Sequence, residues 1–163
     1  DVVLTDVLPQ APGSAGTLEY VSSQVIRVSS GGNTISGSSL GAGASGMVAG
    51  NSISFDFGDL TNAVDGISNS NDEIVVQITA RLVDDLANQA GDVLTNTATL
   101  TTQNTSVSDT ADVTVVSPEL DIDKAVSPAN ADAGDTVTFT VISNNVGDGA
   151  AYDITIDDAL DDA

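Results

Sequence analysis

Cysteine, histidine and tryptophan are missing from the 163 residues, and lysine and arginine together number three. Without cysteine no disulfide staples the fold, and thiols give no record of the redox compartment. Without histidine the commonest general base and metal ligand are gone. No apolar run approaches the roughly 20 residues that span a bilayer. Aromatic residues make up 3% of the chain, so a core must be built mostly from Val, Ile, Leu and Ala. What the sequence has in abundance is acid: 24 Asp and Glu, for a net charge of −21. Such a charge repels phosphates and anionic lipids, so neither nucleic acid nor a membrane surface is an expected partner. It favours solubility and divalent cations, and a solvated surface suited to salty water accounts for it as well as a metal role does. The length holds one ordinary domain, or one and a fraction.

The organising feature is an internal repeat. Asp153-Ile154-Thr155-Ile156-Asp157-Asp158-Ala159-Leu160 lines up with Asp1-Val2-Val3-Leu4-Thr5-Asp6-Val7-Leu8. The chain therefore reads as a window on a tandem array, starting partway into one unit and ending at the matching point of the next. Ser117-Pro118 punctuates it. We expect residues 1–117 to be a unit lacking its first strands, and 118–163 to be the first strands of the following unit.

Within that frame the chain reads as short strands between turn residues. Residues 1–8 alternate, with Val2, Leu4 and Leu8 on one face, and residues 51–57 place Ile53, Phe55 and Phe57 together. Residues 73–83 give the clearest pattern, with Ile74, Val76, Ile78, Ala80 and Leu82 inward. Residues 18–29 alternate less cleanly. Further strands are expected at 93–102, 107–116, 120–126, 136–142 and 152–158. Residues 10–16, 31–50 and 60–72 read as loops, the second with a weak strand around Thr34-Ile35, and 84–91 as no more than a helical turn. Strands of this length and composition, with no helical segments between them, predict an all-β, antiparallel β-sandwich rather than βαβ units.

Several pieces carry a family resemblance. Residues 119–128 (ELDIDKAVSP), 133–141 (AGDTVTFTV), 152–160 (YDITIDDAL), 5–9 (TDVLP), 53–60 (ISFDFGDL) and 94–100 (LTNTATL) occur in order along nearly the whole chain. Together they resemble an immunoglobulin-like repeat of unknown function found in very long prokaryotic surface proteins, which is similar to the isopeptide-forming domains of fimbrial proteins. The departures are the Gly/Ser-rich insert after Ser29 and Asp161 where a proline would follow Leu160. The resemblance implies an immunoglobulin-like sandwich, a cell-surface or extracellular location and a structural role.

Three kinds of polar residue break the two-residue period. Lys124, the single lysine, falls in phase with Leu120, Ile122 and Val126; Asp158 falls in phase with Ile154 and Ile156. Its counterpart Asp6 falls in phase with Val2, Leu4 and Leu8, and Asn96 with Leu94, Ala98 and Leu100. Charges on an inward face are costly unless paired, so these residues are expected to meet. In the fimbrial relatives a first-strand lysine bonds to a late-strand asparagine with help from a buried acid, and the resemblance implies that role for Lys124, Asn96 and Asp6 or Asp158. Burial suits the chemistry, because it favours a neutral amine as nucleophile and a protonated acid as donor. The alternative is a buried Lys–Asp pair with an asparagine hydrogen bond, or a lysine that snorkels to the rim. Lys124 and Asp158 belong to one unit and Asp6 and Asn96 to the other. The full set therefore closes only if residues 118–163 join the equivalent of 1–117 in another copy, head to tail, by chain continuity or strand donation.

Acidic loops form the second constellation. Alternating strand direction after Pro118 would gather Asp132, Asp135, Asp161 and Asp162 at one pole, and Glu119, Asn145 and Asp148 at the other. Calcium accepts such irregular oxygen sets, and at a junction it would stiffen an array. Asp-rich turns are more often simply turns. Catalysis is not expected, since there is no Cys or His and no glycine-rich loop between a strand and a helix. Arg27 and Arg81 are expected to pair with nearby Asp residues. The function expected is a segment of an extracellular fibre, stalk or adhesin, whose partners are copies of itself or adjacent repeats. The alternative is a surface module that recognises a glycan, or a host or substratum surface, through residues 31–50 or 60–72.

Overall fold

A computed structural model describes residues 1–10, 17–29 and 35–160. The chain is all-β with antiparallel ladders throughout, and it divides into two compact units, Asp1–Val115 and Val116–Ala163.

The first unit contains β1 (Val3–Val7), β2 (Leu18–Val28), β3 (Ile35–Ser36), β4 (Met47–Ala49), β5 (Ser52–Asp56), β6 (Thr61–Asn62), β7 (Ile74–Leu82), β8 (Val93–Thr101) and β9 (Ser106–Thr114). A 3-10 turn at Ser70–Asp72 is closed by a reciprocal cap between Asn69 and Asp72. The main sheet has the order β4-β5-β1-β8-β9, β2 pairs with β7, and β3 pairs with β6. Ile53, Phe55, Phe57, Val25, Leu94, Leu8, Leu18 and Val115 form the buried core, so β2–β7 packs over the main sheet. Alternation drives this arrangement. Every second residue of β5 is a large apolar side chain, and burying each stabilises the fold by about 1.5–3 kcal/mol.

Two bulges explain the imperfect alternation of β2. Its register against β7 slips between Tyr20 and Ser22 and between Val25 and Arg27, and the extra residues Val21 and Ile26 are exposed. Each slip reverses the facing of the residues beyond it, as an inserted residue must.

The segment 31–50 is more than a loop. Met47–Ala49 adds β4 to the main sheet, and Gly46 lets the chain cross the core closely. A Cβ at Gly46 would sit 2.6 Å from Ile53 Cγ2 and 2.9 Å from Phe55 Cζ. Gly46→Ala is expected to destabilise the unit by about 1–3 kcal/mol in urea titrations, as overpacking of a filled core does. The short strand β3 falls at Ile35 of the expected weak strand, whereas β6 lies in a segment expected to be a loop. Thr34 of the expected weak strand lies outside the described residues.

The edges of the two layers do not match. Val25 donates to the carbonyl of Ala44 and accepts from Gly43, and Gly46 donates to Ser23 Oγ, so β2 is tied to the β4 side. The β2–β7 pair therefore covers the β4-β5-β1 half and leaves the inner face of β8–β9 open. Val107 on that face is 62% exposed, and Val113 and Leu100 are also exposed. An open apolar groove of about 380 Å³ runs in from this side, lined by Val2, Leu4, Phe57, Leu60, Ile74 and Leu100.

The second unit contains a hairpin, β10 (Leu120–Ser127) with β11 (Thr138–Asn145). Pairing Ile122 with Ser143, Lys124 with Val141 and Val126 with Phe139 puts Leu120, Ile122, Lys124, Val126, Phe139 and Val141 on one face. That face is open: Leu120 is 54%, Ile122 63% and Phe139 43% exposed. Residues 152–158, expected to be a strand, form no ladder. Their counterpart β1 pairs with β5 and β8; among the described residues of the second unit, 152–158 have no such neighbours.

Candidate functional site

The structure brings the four inward polar residues together in two pairs, one in each unit. In the first unit Asn96 Nδ2 donates to Asp6 Oδ2 at 2.9 Å. The pair arises from strand register: β1 lies antiparallel to β8, Asp6 faces Ala98, and Asn96 sits two residues along on the same face. Asp6 is 5% exposed, and among the described residues its Oδ1 and the Oδ1 of Asn96 are buried without a hydrogen-bond partner. Two oxygens thus lie buried with no hydrogen-bond partner, which costs about 1–3 kcal/mol for each such group. Burial pushes the Asp6 carboxyl above its ordinary value, and the Asn96 hydrogen bond works against that shift. The site has the chemistry of a receptor for a hydrogen-bond donor.

In the second unit Lys124 Nζ donates to Asp158 Oδ1 at 2.6 Å, and the ammonium stands 4.9 Å from the centre of the Phe139 ring. Parity placed Lys124 in phase with Leu120, Ile122 and Val126, and the structure puts it on that face. The face is uncovered, so the lysine and Asp158 are partly exposed rather than buried. Asp158 is the repeat counterpart of Asp6. One copy of the repeated aspartate therefore holds the asparagine, and the other holds the lysine.

Sequence reasoning missed one residue of the acceptor face. Ala98 pairs with Asp6 on one side and Asp109 on the other, so the row Asp6–Ala98–Asp109 crosses β1, β8 and β9. The parity test would have found it: Asp109 falls in phase with Val107, Ala111 and Val113.

The acidic loops are organised by hydrogen bonds within the chain. Asp135 Oδ2 accepts from the Asp132 amide and the Asp135 amide donates back to the Asp132 carbonyl, which makes one closed turn. At the other loop Asn145 Oδ1 accepts from the amides of Glu119 and Gly147, and its Nδ2 donates to the Gly149 carbonyl. Gly147 and Gly149 press against the backbone of residues 117–119, where a Cβ would come within 2.4–2.9 Å. Among the described residues no group of three or more acidic side chains stands together. Asp161 and Asp162 lie outside the described residues. Arg27 pairs with Glu73 and Arg81 with Glu19, so the partners across β2–β7 are glutamates rather than the expected aspartates. Both pairs are exposed and contribute little.

Comparison with known protein families, with curated proteins and with solved structures returns no match to this chain. The reading of function therefore rests on the repeat, the two polar pairs and the two open apolar faces.

Proposed function

We propose that this chain is a structural segment of an extracellular fibre, stalk or adhesin built from tandem immunoglobulin-like β-sandwich repeats. One observation carries the reading: the two aspartates that align in sequence, Asp6 and Asp158, each hold a polar partner, one an asparagine and the other a lysine. The strand order supports it. In an immunoglobulin-like sandwich one sheet carries strands C, F and G and the other A, B, E and D. In this reading β1, β8 and β9 take the places of C, F and G, β2–β7 those of D and E, and the β10–β11 hairpin those of A and B of a unit, with β4 and β5 added beside C. Load-bearing then comes from packing and covalent continuity, with no turnover.

The same reading provides for an isopeptide crosslink. With a lysine at the Asp6–Asn96 pair, the amine attacks Asn96 Cγ, the bond to Nδ2 breaks, and ammonia leaves as the new amide forms. Asp6, held toward its protonated form by burial, shuttles the proton. Each bond lowers the intact mass by about 17 Da, the loss of one ammonia on amide formation. Mass spectrometry of fibres from the native source is expected to show that deficit, abolished by Asn96→Ala. An unmodified mass would remove the crosslink from the proposal.

Calcium enters through the net charge of −21. A bound ion would raise the melting midpoint in excess calcium over chelator, as any ligand of the folded state does; coincident curves would remove it. Flat responses in glycan arrays and substrate screens are expected, whereas selective glycan capture would favour a binding module.

A further inference from the structure

In the first unit the free edge of β7 stands beside an open core, and in the second the β10–β11 hairpin has an open apolar face. We propose that the free edge of β7 is completed by β11 of a second copy of this chain, added antiparallel, so that the β10–β11 hairpin covers the inner face of β8–β9. The inference rests on the fibre reading and specifies the interface by which units join.

Several observations select the occupant. β7 pairs only with β2 and β11 only with β10 among the described residues, so each offers an unpaired ladder edge. The face of the hairpin is apolar with one cation at its centre. The face it would cover is apolar with Asp6 and Asp109 across Ala98, and two orphan oxygens on Asp6 and Asn96. The repeat supplies a template for that meeting, since Lys124 already holds Asp158, the counterpart of Asp6.

Strand direction fixes the orientation. The carbonyl of Pro9 accepts from Leu18, the carbonyl of Thr17 from Val83, and the carbonyl of Val115 from Gly91, while Asn88 accepts from Thr17. The ends of β1, β7 and β9 therefore share one pole. Antiparallel addition of β11 to β7 makes β10 run in the direction of β1. With Lys124 set level with the Asp6–Ala98–Asp109 row, Ile122 falls level with Leu4 and Leu120 level with Val2, at steps of two residues. Leu120 and Ile122 enter the apolar groove as the ammonium reaches the orphan oxygens.

The same directions exclude the chain's own hairpin. β10 has to start at the pole opposite the end of β9, a separation of about 30 Å for nine residues of strand. Residues 115–119 are all that joins the two strands, and the six steps from Thr114 to Leu120 span at most about 22 Å. The donor is thus a second copy, and docking exchanges Asp158 for Asp6 at Lys124. Residues 152–158, which form no ladder, are the segment displaced.

A zero-length carbodiimide crosslink tests this directly, because the chain has one lysine. Equal amounts of light and nitrogen-15 chains are mixed, crosslinked across a concentration series, digested and sequenced. The expected product joins Lys124 of one chain to Asp6 or Asp109 of the other in mixed-isotope form, and rises with concentration as the Lys124–Asp158 product falls. Asp158→Asn is expected to increase the intermolecular product severalfold, and Phe139→Ser, at an exposed site, to reduce it at least tenfold with the melting of the first unit unchanged. Lys124–Asp158 as the only product at every concentration would overturn the proposal. Elongated particles without the Lys124–Asp6 or Lys124–Asp109 crosslink would also overturn it while leaving the fibre reading standing.

Discussion

Phe55→Ala is expected to cost about 3–5 kcal/mol, the usual loss for truncating a buried phenylalanine, and to leave the first unit largely unfolded near 37 °C. Phe55 is fully buried, stacks on Phe57 with ring centres 6.3 Å apart, and lies directly beneath the Gly46 crossing. The chain has three phenylalanines and no tryptophan, so no other bulky group can fill the void. A domain of this size holds about 5–15 kcal/mol in total, and one open side leaves it little reserve. Urea titration followed by circular dichroism checks the result. A loss under about 1 kcal/mol would mean that the core is centred elsewhere.

Asp6→Asn is expected to stabilise the isolated chain at pH 7 by about 1–3 kcal/mol, the cost of a buried polar group without its partner. The sign comes from linkage. Burial raises the folded-state value of Asp6 above 3.8, so the folded chain holds its proton more tightly than the unfolded chain. The stability this contributes is present below 3.8 and is lost as pH rises through the raised value. The asparagine variant lacks that loss, so the two melting curves should converge in acid and separate toward neutrality. Asp121→Asn removes one charge from an exposed site of the hairpin and serves as control; its effect should stay within about 0.5 kcal/mol. Asn96→Ala takes away the one donor of Asp6 and is expected to destabilise the chain more at pH 7 than at pH 4. Equal effects of Asp6→Asn and Asp121→Asn would show that net charge, rather than the buried pair, governs the profile.

Much of the fold was legible because β5 and β7 carry their burial in alternation. Ile53, Phe55 and Leu94 declare an inward face without any knowledge of their neighbours. β2 was harder to read, since its two bulges reverse the facing twice within 11 residues. β4 carried no visible signal: Met47, Val48 and Ala49 are all exposed, and the strand exists because β5 offers it a ladder. The converse error fell at residues 152–158, whose alternation is as clean as that of β1. A strand needs a neighbour as well as a pattern, and the neighbours of β1 are β5 and β8.

The candidate site was legible for the same reason as the strands. A lone polar residue in phase with apolar ones is visible by parity, which singled out Asp6, Asn96, Lys124 and Asp158. Parity could not show that the aspartates divide between two pairs, because partners are set by register across β1 and β8 and across β10 and β11. It also could not show that two oxygens of the Asp6–Asn96 pair are left without donors. Asp109 passed unnoticed because β9 is polar at most positions, so one more acid did not stand out.

The central claim is that these units join end to end. Small-angle X-ray scattering on the full chain over a hundredfold concentration range tests it most directly. The account predicts that the longest dimension grows with concentration while the radius of the cross-section stays constant, and that Phe139→Ser holds the particle at the size of one chain. A longest dimension that stays fixed across the range, or a cross-section that thickens as mass increases, would contradict it.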